Sequence, residues 1–223
     1  ETLAAAGHAA ELKAQYGIAV KSSAELMHQM KALGGMTADA SAETIKMMSA
    51  MAQTAGVSPA DVMSDVSENT KMFAKYGKDG GKNVMKAAIA AKKLGVSMSD
   101  IEAMTDSIMN IEESIAKEME ASVLLGRNVN MNRARELTMT GDLVGAQKEV
   151  LKQVGGINEW NKMNYYQRQA IADAAGVEVD TLASMIANEE ELAKLTWIEK
   201  KNMDACAAAT EWLASAWGVL KRI

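Results

Sequence analysis

The sequence predicts an all-α fold, either a multi-helix bundle or an array of helical hairpins whose helices end at glycine. Helix-forming residues, above all Ala, Met, Leu, Lys, Glu and Gln, recur throughout the chain, and runs of β-branched residues are absent. The 223 residues include one proline and 16 glycines, so glycine provides the breaks between helices. We therefore expect ordinary helices of about 10 to 17 residues that pack by their apolar faces.

The clearest break is a Gly-Val-Ser turn. It occurs at 56–58 and again at 95–97, and a variant begins at Gly176. Glycine in the left-handed conformation ends one helix, serine caps the next, and an acid three residues later lies in the first turn of that helix. In the variant, Glu178 replaces the serine, and Asp180 is the predicted cap.

Equal intervals separate Gly17, Gly56 and Gly95, which hints at a repeated helical hairpin. Side chains beyond the turns do not repeat well, so a bundle and a hairpin array both remain open.

We divide the chain into an N-terminal helical bundle at 1–126, a short-helix segment at 127–188 and a long amphipathic C-terminal helix at 189–223.

The ends of the sequence favour a piece of a longer polypeptide or a processed product. Residue 1 is Glu rather than Met, and the chain stops abruptly at Ile223. Residues 1–15 lack the basic region and long apolar core of a signal peptide. No stretch reaches the roughly 18 uninterrupted apolar residues that a membrane span needs.

One longer helix, resembling a coiled-coil strand, is predicted near 98–125. Its apolar residues recur at steps of three and four, which places them in one stripe: Ile101, Met104, Ile108, Ile111, Ile115 and Met119. Such a stripe is usually the core face of a bundle. The alternative is an oligomer stripe, through which several copies of the chain associate.

A second apolar stripe lies near the C-terminus. Trp212, Leu213, Trp217 and Leu220 recur at helical spacing, followed directly by two basic residues. Tryptophan beside basic residues is typical of membrane interfaces, although it also occurs in buried cores. These four residues are therefore candidates for contact with a membrane or a partner.

No catalytic, cofactor-binding or metal-ligating residues are predicted. His8 and His28 have no second ligand at a metal-binding spacing, and Cys206 has no adjacent cation to stabilise a thiolate. The carboxylate pairs, including Glu118 with Glu120, are helix neighbours and are expected on a solvated face. The glycine-rich run 77–82 lacks the spacing of a phosphate loop and is interpreted as a flexible hinge.

The charge argues against a protein whose main task is holding nucleic acid, because a net charge of −5 provides no general attraction for phosphates. An Asn-rich loop is flanked by Arg127, Arg133 and Arg135, which are weak candidates for contact with phosphate or an acidic partner.

The 18 methionines favour a soft core, with a deformable contact surface as the alternative.

Several motifs between roughly residues 50 and 190 carry a family resemblance. They are 73–82 with 94–97, 118–127 with the asparagines at 128, 130 and 132, then 132–137, 141–142, 147–155, 160–164 and 167–170. This string resembles the tail tape-measure and related tail-lumen proteins of large marine bacteriophages. The motifs are helix and turn signatures rather than catalytic ones, so no enzymatic residue follows from them.

The resemblance implies a structural role in tail length determination, tail assembly and genome ejection. It implies contacts with tail tube and baseplate or hub proteins, a homo-oligomer of three or six copies, and possible contact with the host membrane. No cofactor and no specific nucleic acid are implied, and the location would be the tail lumen of the virion after synthesis in the host cytoplasm. Tape-measure rods favour long helices, so frequent glycine turns predict a compact domain here.

The alternative to a tape-measure segment is a helical adaptor with a Met-rich contact surface.

Overall fold

The computed structural model describes residues 2–191, which are helices joined by short turns without any strand. The helices are α1 Thr2–Tyr16, α2 Val20–Gly34, α3 Ala38–Thr54, α4 Pro59–Glu68, α5 Thr70–Tyr76, α6 Lys82–Lys93, α7 Met98–Met109, α8 Ile111–Leu125, α9 Asn132–Thr140, α10 Leu143–Val154, α11 Gly156–Lys162 and α12 Tyr165–Ala175, with a 3-10 turn at Gly77–Asp79. A further helix, α13, covers 179–191. The predicted all-α fold is confirmed.

The helices pack as a bundle around one hydrophobic cluster. Helices α1, α2 and α3 contact one another, and α4 joins them to α6. Helix α6 in turn contacts α7 and α10, while α7 contacts α8, α9 and α12. The cluster runs from Ala9 to Ile186 and so includes side chains on both sides of residue 126. The division of the chain into segments at 126 and 188 stays a prediction.

The first two Gly-Val-Ser turns have the predicted geometry. Gly56 and Gly95 have φ of +76° and +73°, in the left-handed region. The N–H of each following valine donates to a carbonyl five residues back, which closes the preceding helix. Ser58 accepts from the N–H of Asp61, and Ser97 forms a reciprocal capping box with Asp100.

The third turn differs from the prediction at its cap. Gly176 has φ of +75°, and Val177 donates to the carbonyl of Ala172 as in the other two turns. The next helix already includes 179 and 180, because the N–H of Leu182 donates to the carbonyl of Glu178. The prediction of Asp180 as the cap is therefore wrong. Residue 178 occupies the cap position.

Gly17, Gly56 and Gly95 all have positive φ where a helix ends, as their spacing suggested. The segments between them differ in content. Helices α2 and α3 lie between the first two glycines, whereas α4, α5, the 3-10 turn and α6 lie between the second two. The equal intervals thus mark equal lengths of chain, without repeating a two-helix unit.

The glycine-rich run 77–82 is a packed turn rather than the flexible hinge that the sequence suggested. Gly80 and Gly81 are buried, with φ of +76° and +80°. A Cβ atom on Gly81 would lie 2.2 Å from Cζ of Phe73, and one on Gly77 would lie 2.7 Å from Cδ1 of the same ring. Glycine is required here because the backbone passes directly against the buried Phe73 ring.

The predicted single helix near 98–125 is two helices, α7 and α8, broken at Asn110. This residue has φ of −77° and ψ of +83°, far from the helical ψ of about −42°. Its side-chain amide donates to Glu113 at 2.8 Å, in the first turn of α8. Asparagine hydrogen-bonds locally and is favoured at helix ends, so it interrupts the stripe that the apolar spacing suggested.

Candidate interaction surface

The break at Asn110 divides the predicted oligomer stripe into a buried half and an exposed half. Ile101, Met104 and Ile108 on α7 are fully buried in the protein's own core. On α8 the exposed fractions are 55% for Ile111, 44% for Ile115, 66% for Met119 and 81% for Val123. These four α8 residues, here named the α8 ridge, follow one another at intervals of four and form a continuous row along the helix.

Acidic side chains accompany the α8 ridge. Glu112 and Glu120 are exposed and form no ion pair within residues 2–191. Glu113, by contrast, pairs with Lys117 at 2.8 Å. A groove of about 450 Å³ runs beside the ridge, with Asn128 and Asn130 in its lining. The surface therefore combines apolar contact area with unpaired negative charge.

A buried ion pair holds α8 in place behind the ridge. Nη2 of Arg135 lies 2.7 Å from Oε1 of Glu118, and both side chains are less than one-tenth exposed. The second carboxylate oxygen of Glu118 accepts from the N–H of Met131 at 3.0 Å. Nε of Arg135 donates to the carbonyl of Ile108, and Nη2 also donates to the hydroxyl of Ser114. The charges are thus paired and hydrogen-bonded, as buried charges require.

This network corrects two expectations from the sequence. Glu118 was expected on a solvated face with Glu120, but it is buried. Arg135 was a candidate for binding phosphate or an acidic partner, but its guanidinium is occupied inside the protein. Neither role was visible in the sequence, because the two residues lie on different helices and meet only through the fold.

The other two arginines near the loop also have partners. Nη2 of Arg127 donates to the carbonyls of Gln153 and Val154, at 2.6 and 3.0 Å, and so caps the end of α10. Arg133 pairs with Glu136 on its own helix at 2.6 Å. The guanidinium groups of Arg127 and Arg135 are therefore occupied by contacts inside the protein. These contacts argue against an anion site built from all three arginines.

A basic surface lies on α6 and α10. Lys82, Lys86 and Lys93 share one face of α6, because they are spaced by four and seven residues. None of the three forms an ion pair among the residues that the structure describes. Lys148 on α10 and Lys93 line the same small cavity. These four lysines, here named the lysine face, are a concentrated positive region on an acidic chain.

The cavity within the lysine face is mainly apolar. It has a volume of about 170 Å³, and Ala90, Leu94, Val144 and Leu151 contribute to its lining. Glu189 on α13 reaches its edge. Burial raises the pKa of the Glu189 carboxyl, while the positive charge of Lys148 acts in the opposite direction. The sequence signal for this surface is the spacing of Lys82, Lys86 and Lys93 along α6.

The methionines lie mainly in the core. Met30, Met48, Met63, Met72 and Met85 are among the many that are buried. On α3, Met47 and Met51 are exposed one turn apart. Met119 on α8 and Met139 on α9 are also exposed but lie apart from this pair in the chain, while most of the described methionines fill gaps between helices. The Met-rich contact surface expected of an adaptor stays a prediction.

Within the described residues, neither histidine belongs to a metal-binding cluster. No group of three or more His, Cys, Asp or Glu side chains suited to a metal ion occurs among residues 2–191. Nε2 of His8 instead lies 2.8 Å from Oδ1 of Asp39 on α3. His28 lines an open groove on α2 together with Lys21 and Glu25. The prediction that the protein has no catalytic, cofactor or metal residues stays a prediction.

Trp212, Leu213, Trp217 and Leu220 lie outside the described residues, as does Cys206, so the predicted membrane or partner contact stays a prediction. Within the described part, no helix has both the length and the apolar character to cross a bilayer.

Comparison with known proteins returns no relative. No protein-family model matches the chain, and neither a curated protein nor a solved structure matches it.

Proposed function

We propose that this chain is a non-enzymatic structural segment of a phage tail tape-measure protein. In this role it takes part in tail length determination, tail assembly and genome ejection, by packing against copies of itself and against tail tube and baseplate or hub proteins. It is made in the host cytoplasm and resides in the tail lumen of the virion. The α8 ridge is the single observation that carries the proposal.

The ridge supports an assembly role because it is an apolar row that no other part of residues 2–191 covers, on an otherwise well-packed bundle. Ile111, Ile115, Met119 and Val123 each keep more than two-fifths of their surface exposed. Contiguous exposed apolar patches on soluble proteins are typical of contact sites. A tail has an axis of rotational symmetry, so a surface repeated on three or six copies suits that environment.

The helix lengths support a compact domain rather than the rod of such a protein. The longest helix with defined bounds, α3, has 17 residues, which corresponds to about 25 Å at 1.5 Å per residue. Left-handed glycines then reverse the chain, and the helices pack against one another instead of continuing. Such a domain would lie at one position along the tail.

The direct test is the location of the chain in virions of the phage that encodes it. Purified tails, heads and host lysate would be compared by peptide mass spectrometry, and tails would be labelled with an antibody raised against residues 2–191. We expect peptides enriched in the tail fraction and label at one position along each tail. Absence of the chain from assembled tails and from tail-assembly intermediates would refute the proposal.

A further inference from the structure

We propose that the α8 ridge of one copy docks head to tail on the lysine face of a second copy. The proposal names the partner surface for the ridge, and it rests on the proposed function in assuming self-assembly. One copy presents Ile111, Ile115, Met119 and Val123 with their neighbouring acids. The next copy receives them with Lys82, Lys86 and Lys93 along α6 and with the apolar cavity that Lys93 and Lys148 line.

Charge complementarity identifies the occupant of the lysine face. The chain has a net charge of −5, so two copies repel unless surfaces of opposite sign meet. Within residues 2–191, Glu112 and Glu120 bring negative charge without an ion pair beside the ridge, and Lys86 and Lys93 bring positive charge without an ion pair along α6, with Lys93 at the cavity. Pairing two α8 ridges face to face would instead place Glu112 and Glu120 near the same carboxylates of the other copy, which is unfavourable.

The two surfaces also match in size. From Ile111 to Val123 the ridge extends about 18 Å, and from Lys82 to Lys93 the basic stripe extends about 16 Å, both at 1.5 Å per residue. The cavity of about 170 Å³ lies at the Lys93 end of that stripe. Met119 is an exposed, unbranched side chain in the ridge and fits an irregular apolar recess of this kind.

A contact between two different surfaces determines the symmetry of the assembly. Helix α7 packs against both α6 and α8, so the two surfaces belong to separate helices of one bundle. Such heterologous contacts build a closed ring when the rotation between copies closes, and an open filament when it does not. A ring of three or six copies would have the cyclic symmetry of a tail.

The test uses charge reversal of the full chain, with association measured by analytical ultracentrifugation at low salt. One variant carries Glu112→Lys with Glu120→Lys, and the other carries Lys86→Glu with Lys93→Glu. We expect each variant alone to associate at least tenfold more weakly than the natural chain. An equimolar mixture should regain assembly, because each reversed surface then meets a partner of opposite charge.

Two controls separate docking from general effects of charge and folding. The variant Glu25→Lys with Glu43→Lys changes the net charge by the same amount as Glu112→Lys with Glu120→Lys, but on α2 and α3. It should associate like the natural chain. Met119→Ala should weaken association, whereas Met139→Ala, which truncates a methionine on α9 that is 70% exposed, should not. Circular dichroism would show that every variant keeps its helical fold.

Three results would overturn the inference. The first is a natural chain that stays monomeric at every concentration. The second is normal association of the Lys86→Glu, Lys93→Glu variant, which would exclude the lysine face as the partner surface of the ridge. The third is association unaffected by either reversal, which would place the contact elsewhere. The location of the chain in virions is measured independently. A tail location with a monomeric chain would keep the tail role through contacts with other tail proteins and remove only the self-packing.

Discussion

Arg135 and Glu118 form an ion pair inside the bundle, with Nη2 of the arginine 2.7 Å from Oε1 of the glutamate. Through the same two side chains, the last turn of α7, helix α8, the loop before α9 and α9 itself are tied together. The pair therefore fixes the direction in which α8 leaves α7. It lies behind the α8 ridge and holds that ridge toward the outside of the protein.

Removal of one charge from this pair should strongly destabilise the protein. Glu118→Gln leaves the Arg135 guanidinium buried without its counter-charge, which typically costs about 3 to 5 kcal/mol. The measurement is the free energy of unfolding in urea. Glu120→Gln, an exposed position on the same helix, is the control and should change this free energy by less than about 0.5 kcal/mol.

The two partners should also show energetic coupling. The double variant Glu118→Gln with Arg135→Met should lose less stability than the two single variants together, by about 1 kcal/mol or more, because no unpaired charge remains. Strict additivity in the double-mutant cycle would contradict the interpretation of the contact as a coupled pair.

Gly81→Ala should be much more destabilising than Gly126→Ala. Both glycines have positive φ, +80° and +65°, so alanine is strained at either position by about 1 kcal/mol. At Gly81 the added Cβ would also lie 2.2 Å from the Phe73 ring, whereas at Gly126 it would meet no atom within 4 Å. Thermal unfolding of the two variants measures the difference, and equal losses would mean that Phe73 moves aside freely.

Two substitutions at helix caps should change the stability of the protein in opposite directions. Ser97→Ala removes the capping box of α7 and should cost about 1 kcal/mol. Glu178→Ser places a capping hydroxyl at the start of α13, where the other two turns already have one, and should stabilise the protein by about 0.5 to 1 kcal/mol. Chemical denaturation of both variants is the check. Destabilisation by Glu178→Ser would show that the glutamate has a contact that serine cannot replace.

Glu189 should make stability depend on pH. Burial raises the pKa of its carboxyl in the folded protein, so the folded state retains this proton more tightly than the unfolded state. The resulting stabilisation is present below the unfolded pKa and is lost as pH rises through the folded pKa. We expect Glu189→Gln to flatten that part of the stability profile, measured between about pH 4 and pH 8. Glu191→Gln, at an exposed position on the same helix, should leave the profile unchanged.

Local features were predictable where a few neighbouring residues determine them. Gly56 and Gly95 end their helices, and Ser58 and Ser97 cap the next ones, because cap geometry depends on residues within one turn. The same local reasoning was wrong at Asp180, since the chain enters the next helix two residues earlier and the cap position is residue 178. It was also wrong for 77–82, where composition suggested a hinge and the structure packs the turn against Phe73.

The candidate surface was predictable only in part. The spacing of Ile111, Ile115 and Met119 indicated one shared face, and the structure places all three on the exposed side of α8. The same spacing assigned Ile108 to that face, but Asn110 ends α7 and redirects the chain, so Ile108 faces the core. A periodic pattern identifies residues that share a face and does not state what that face meets.

The sequence by itself determined the helical class, the glycine ends and serine caps of the first two Gly-Val-Ser turns, and the shared face of Ile111, Ile115 and Met119, because these follow from propensity, glycine and spacing along a short length of chain. Only the tertiary structure decided which half of the stripe is exposed, that Glu118 and Arg135 are buried together, and that Lys93 and Lys148 share a cavity. Such contacts join residues far apart in the chain. Burial and pairing of this kind depend on how whole helices pack, which local patterns do not specify.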